Sequence, residues 1–212
     1  MPVLTEDKLA GDIGVPPRIN PPSGGDGRGE PDSSFPVSAR QMATWLLMTG
    51  VGMLFAGLTS AYIVLRGVPT WEHLQLPPLV WGNTLILLAS SLTIDLARRA
   101  IKTDSLSVVR LWLGVTAALG AVFVLGQITL WRQMTATGLL LTSTLHSSFF
   151  YVLSGVHAVH ILGGLIGLTW VSVQAWNNRL SSISFEPLRL CATYWHFMGG
   201  VWLYLILLLV FA

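Results

Sequence analysis

Four side chains in this 212-residue chain could ionise inside otherwise apolar runs: Asp95, His157, His160 and His196. Titratable groups are costly in lipid, so each is a candidate for function until packing accounts for it. His157 and His160 stand three residues apart and share a helix face, and His196 on a later apolar run could oppose them. A pair of imidazoles on facing helices is how membrane b-type cytochromes hold haem, which makes haem ligation the chemically specific reading. The packing reading is the stronger one. Ser154, Gly164 and Gly167 share the face of His157 and His160, and Gly199 and Gly200 follow His196 by three and four residues. Small residues let helices approach closely and polar ones bridge them, so the three histidines are expected to hydrogen-bond between helices. Asp95 precedes Arg98 and Arg99 by three and four residues, the spacing of an ion pair at a helix end.

Other chemistry finds little support. With no carboxylate near the middle of any apolar run, pump and secondary-transporter readings lose most of their weight. The single cysteine, Cys191, excludes a disulfide framework and any cysteine-clustered zinc or iron–sulfur site within the chain. No Ser–His–Asp arrangement, HExxH, P-loop or dinucleotide fingerprint occurs. Asn83, Thr84, Ser90 and Ser91, Gln127, and Gly163 with Gly167 read as close contacts and interhelical hydrogen bonds. Met42, Met48 and Met53 read as core or lipid-facing fill rather than a copper site. The expectation is a chain with no catalytic, cofactor-binding or metal site of its own.

The elements that must position these residues are membrane helices. Of the residues, 52% are hydrophobic and 10% charged, against about a quarter charged in soluble domains. Ten of the 22 charged residues fall within residues 1–40, leaving the rest of the chain nearly charge-free. A soluble enzyme and a nucleic-acid binder are thereby excluded, since the net charge of +2 comes from scattered arginines rather than a basic patch. Residues 1–40, dense in glycine and proline, read as a disordered arm with neither helical propensity nor an apolar face. A hydrocarbon core of about 30 Å needs roughly 20 apolar residues per helix. Residues 42–65, 79–97, 111–131, 147–176 and 190–212 satisfy that rule, giving an all-α, five-helix transmembrane domain over 41–212. They lack the alternation of barrel strands.

Lys and Arg near the span ends set the orientation. Arg40, Arg98, Arg99, Lys102, Arg110, Arg179 and Arg189 fall on one side, and Arg66 and Arg132 on the other. The positive-inside rule puts the N-terminus in the cytoplasm and the C-terminus in the periplasm. Trp71, Trp81, Trp131, Trp176 and Trp195 fall near span ends, where interfacial anchors belong.

Four segments, in order, carry a resemblance. Tyr194-Trp195-His196-Phe197-Met198-Gly199-Gly200-Val201-Trp202 resembles the last helix of subunit III of the haem–copper cytochrome oxidases. Asn83 through Thr93 is similar to an earlier helix of that family. Gly126-Gln127 with Trp131-Arg132-Gln133 is similar to the helix after it, and Phe149-Phe150-Tyr151 through His157-Ala158-Val159-His160 and Gly164 is similar to its long penultimate helix. The likeness spans roughly residues 42–212 and matches the five-helix bacterial form.

The resemblance implies a non-catalytic subunit of a terminal cytochrome c oxidase in the bacterial inner membrane. Its main contact would be subunit I, where oxygen is reduced to water, with subunit II in the same hetero-oligomer. Haem and copper would reside in partner subunits, and this chain would hold phospholipid and stabilise subunit I. His157, His160, His196, Asn83, Gln127, Trp195 and Trp202 would be helix-interface residues. Two family carboxylates are missing: Val51 stands where the first helix here usually carries a glutamate, and Gly199 where the last usually carries an aspartate. An accessory subunit of a quinol oxidase or nitric oxide reductase, or a free-standing haem b cytochrome, are the competing readings.

Overall fold

The computed structural model describes residues 38–67, 77–103, 105–138, 145–181 and 185–211. The arm over residues 1–40, save its last three, and the anchor Trp71 lie outside the described residues. Five helices follow one another: α1 (Ala39–Arg66), α2 (Leu79–Ile101), α3 (Leu106–Ala136), α4 (Leu145–Trp176) and α5 (Glu186–Phe211). Each is long and apolar enough to cross a membrane, as backbone satisfaction in lipid requires.

Local chemistry sets the ends. Ser38 caps α1 by accepting the Gln41 backbone N–H at 3.2 Å, in a Ser-x-x-Gln pattern that satisfies an otherwise orphaned donor. Helix α2 starts after Pro77-Pro78, and α5 starts with Glu186-Pro187, placing an acid and a proline in the first turn where dipole and φ favour them. Gly138 after α3 and Asn178 after α4 take positive φ values of 82° and 54°, conformations that favour glycine and that asparagine tolerates. Helix α3 runs past the expected 111–131 at both ends. The charges that suggested its limits do not stop it: Arg110 donates to the Ala175 carbonyl at 3.0 Å and to Asn178 Oδ1 at 2.6 Å, while Arg132 is exposed. At 32 residues, α4 is about 48 Å long and exceeds the hydrocarbon thickness.

Helices α2, α3, α4 and α5 form a closed ring in which α2 packs on α3, α3 on α4, α4 on α5 and α5 back on α2. Helix α1 leans only on α4 and α5. Its outward face, including Trp45, Leu46, Met53, Ile63 and Val64, is exposed. One core cluster joins α1 to the ring around Phe55, Phe123, Phe150 and Trp202, and a second fills the other end around Ile94, Leu113, Leu168 and Trp195.

Candidate functional site

Trp195 is buried between helices rather than being an interfacial anchor. Ten residues into α5, it is 1% exposed, and its indole N–H donates to Ser90 Oγ on α2 at 3.0 Å. The ring fits because two glycines make way for it. A Cβ on Gly120 of α3 would stand 2.8 Å from the indole and 2.9 Å from Leu165, and one on Gly164 of α4 would stand 3.1 Å from the Tyr194 ring and 3.3 Å from Trp195. One side chain thus touches three other helices. Its expected interfacial place fails because the span begins four residues earlier than 190, which carries Trp195 deeper into the bundle.

The same device recurs around the ring. Trp202 donates to Thr84 Oγ1 at 3.1 Å, joining α5 to α2 about two turns further along α5. Asn83 donates to the Phe123 carbonyl at 3.1 Å, joining α2 to α3, and its carboxamide occupies the space a Cβ on Gly126 would need. Thr93 and Thr116 share a 2.8 Å hydrogen bond between the same helices. Trp131 donates to Ser154 at 3.0 Å, joining α3 to α4, and the Tyr194 hydroxyl donates to the His160 carbonyl at 3.0 Å, joining α5 to α4. Helix α1 is held by a 3.2 Å bond between the Tyr62 hydroxyl and His146 Nε2 and by a hydrogen bond from Ser38 to Glu186. Such bonds are each worth about 0.6 kcal/mol on average in a membrane protein, so the bundle is held by their number and by packing.

The histidines divide into three environments. His157 is fully buried, and neither ring nitrogen has a hydrogen-bond partner among the described residues, contrary to the expectation of an interhelical bond. The rings of Phe55, Phe123 and Trp202 enclose it, with centroids 6.3, 6.1 and 5.0 Å away. It packs by shape and ring edge, because the neighbouring helices present aromatic rather than polar groups there. His160 does hydrogen-bond, but within its own helix, its Nδ1–H donating to the Val156 carbonyl at 2.7 Å. Only His196 makes the expected kind of bridge: its Nε2 lies 3.2 Å from Asp95 Oδ1 on α2. Asp95 also takes Arg98 at 3.2 Å, the helix-end pair anticipated from spacing. His157 and His196 therefore do not form a facing pair, since one is boxed by aromatic rings and the other is engaged with a carboxylate. Among the described residues, no three His, Cys, Asp or Glu side chains converge as a metal would require.

Two further expectations change. Gln127 is buried with both amide atoms unpartnered among the described residues rather than bridging helices. Gly163 and Gly167 face open space, so the close approaches run through Gly120, Gly126 and Gly164 instead. Sequence reasoning missed His146 because it fell one residue outside a span drawn from 147. It also missed the Asp95–His196 pair, although the depth of each residue in two antiparallel helices would have matched them. Val51 is buried in the core beside Phe55.

Residues 56–212 match the family described as Cytochrome c oxidase subunit III. The chain is 30% identical to "Cytochrome c oxidase subunit 3" of Bacillus sp. (strain PS3), over 81% of this chain and 90% of that one. It is 31% identical to the protein of the same name from Thermostichus vulcanus, over 80% and 86% of the two chains. Similarity extends to "Cytochrome bo(3) ubiquinol oxidase subunit 3" of Pseudomonas aeruginosa, at 30% identity over 75% of this chain and 78% of that one.

Proposed function

The chain belongs to the cytochrome c oxidase subunit III family, and we propose that it serves its haem–copper oxidase as a scaffold that carries no redox or catalytic site of its own. Haem and copper reside in partner subunits on this reading. The observation that supports it is that Trp195, Trp202, Asn83, Trp131 and Tyr194 each clip one helix of the bundle to another, Trp195 to Ser90 and Trp202 to Thr84 foremost. Helix α1, lightly held and apolar on its outward face, offers surface to a partner subunit and to phospholipid. Subunit I is the main contact proposed, with subunit II in the same complex. The bacterial inner membrane, with the N-terminus cytoplasmic, is the proposed setting, from the Lys and Arg distribution. A quinol oxidase is the second reading, favoured by the Pseudomonas aeruginosa relative.

Affinity purification through a tag on this chain tests the proposal. A large haem- and copper-containing subunit is expected to copurify, and its oxidation of reduced cytochrome c or of quinol decides between the readings. Recovery of the chain alone with bound haem would overturn the scaffold role.

A further inference from the structure

Three buried side chains stand apart from the hydrogen bonds that clip the bundle together. Thr59 on α1, Gln127 on α3 and His157 on α4 are 5%, 1% and 0% exposed. The Thr59 hydroxyl, both amide atoms of Gln127 and both ring nitrogens of His157 have no partner among the described residues. Buried polar groups are almost always satisfied, by protein or by ordered water. Thr59 is the most telling of the three, because a helical hydroxyl has a ready acceptor in the carbonyl one turn back. The buried hydroxyls of Thr84, Ser90, Thr93, Thr116 and Ser154 all donate to such carbonyls, at 2.6 to 2.9 Å. Thr59 forgoes that bond, which leaves its hydroxyl for another partner.

The packing brings these groups to one level. His157 meets Phe55 of α1 and Phe123 of α3, with ring centroids 6.3 and 6.1 Å away. Helix α1 runs against α4, from Phe55 beside His157 to Tyr62 beside His146. Helix α3 does the same, from Phe123 beside His157 to Trp131 bonded to Ser154. Thr59 and Gln127 therefore stand one turn, about 6 Å, past Phe55 and Phe123 in the same direction. They flank the turn of α4 between His157 and Ser154 from its two sides. An occupant shared by these groups is neutral, because among the described residues no carboxylate, lysine or arginine is buried to pair with an ion. Gln127 supplies both donors and an acceptor, the neutral imidazole one of each, and the Thr59 hydroxyl serves as either. Water, with two hydrogens and two lone pairs, complements that set. We propose that Thr59, Gln127 and His157 form an internal water-binding site within the bundle, holding roughly one or two molecules at about three hydrogen bonds each. Bonds through a bridging water are nearly offset by the cost of immobilising it. The site thus fixes where the bundle is hydrated while adding little to its stability, and His157 still packs by its ring edges.

The test uses the full chain within its purified oxidase and X-ray radiolytic footprinting, in which hydroxyl radicals generated from a bound water oxidise the side chains against it. Trp195 and Trp202 form an internal comparison. Both are 1% exposed and hydrogen-bonded through the indole, but Trp202 packs on His157, with ring centroids 5.0 Å apart. Trp202 is expected to be oxidised under brief exposure while Trp195 stays unlabelled. Thr59→Val with Gln127→Leu, which replaces both groups by apolar ones of similar size, is expected to abolish the Trp202 label with assembly and melting temperature retained. Equal labelling of the two tryptophans in wild type, whether of both or of neither, would overturn the site. A Trp202 label that survives in the double variant would do the same. If the double variant does not assemble, His157→Phe replaces it with the same expected loss of label, and a label persisting there would overturn the proposal. The wild-type comparison needs no variant and holds for whichever partner subunits surround the chain.

Discussion

By the resemblance, Val51 occupies the position at which the family's first helix here usually carries a glutamate, and its surroundings suit a hydrocarbon: it is 4% exposed and packs in a cluster with Phe55. A valine there can neither bind nor release a proton. Val51→Asn is expected to lower the melting temperature through an unpaired buried amide, at about 1–3 kcal/mol, while oxygen consumption per assembled complex stays at wild-type level. A loss of turnover with stability and assembly intact would show that this helix takes part in proton movement. His157 supports a complementary expectation. Because its ring nitrogens lack partners among the described residues and three aromatic rings surround it, His157→Phe is expected to leave the melting temperature within about 1 kcal/mol of wild type or to raise it. A larger loss, read by thermal unfolding in detergent, would point to a polar role for the imidazole. Residue spacing alone could mark His157 as buried and on the face of Ser154, but could not reveal that the facing helices supply Phe55, Phe123 and Trp202 there. Which polar group meets which is a property of the packing register, and spacing along one chain segment does not encode it.

Among the elements, the four ring helices behave as panels clipped at their seams, with Trp195 seated against α2, α3 and α4 at once. Gly120→Ala is expected to cost about 1–3 kcal/mol, since its Cβ would stand 2.8 Å from the indole in a notch bounded on the other side by Leu165. Gly163→Ala, which faces open space, serves as the contrasting substitution and is expected to be near neutral for the chain itself. A double-mutant cycle of Ser90→Ala and Trp195→Phe, followed by thermal unfolding, is expected to give a coupling of about 0.5–2 kcal/mol. A coupling of zero would mean that the indole packs there without its hydrogen bond contributing. The existence and order of the helices were legible from apolar run length, because the membrane imposes both. Their ends were less so, since Arg110 finds partners in and just after the last turn of α4 and a helix can run through a charge that pairs or reaches solvent. The glycines that matter were also not distinguishable in advance. Gly163 and Gly167 carry the conspicuous small-xxx-small spacing, yet the close contacts fall to Gly120, Gly126 and Gly164, whose roles depend on where Trp195 and Asn83 arrive from other helices.

At the scale of the molecule, a ring of four helices with a loosely attached fifth is what a subunit built to sit beside another membrane protein requires. Trp195, Trp202, Asn83 and Trp131 close the ring internally, and on the proposed reading its apolar outer faces remain for lipid and partners. Scaffold and catalyst make opposite demands on where haem and copper lie, which turns the central claim into a question of composition. The decisive measurement is the haem and copper content of the purified oxidase, together with its initial oxygen consumption per haem, before and after this chain is selectively removed by detergent. The account predicts that haem and copper stay in full with the remaining subunits and that initial turnover persists, with a lower thermal stability of the depleted complex. Departure of a stoichiometric haem or copper with the chain, followed by loss of that cofactor in a His196→Ala chain, would contradict it.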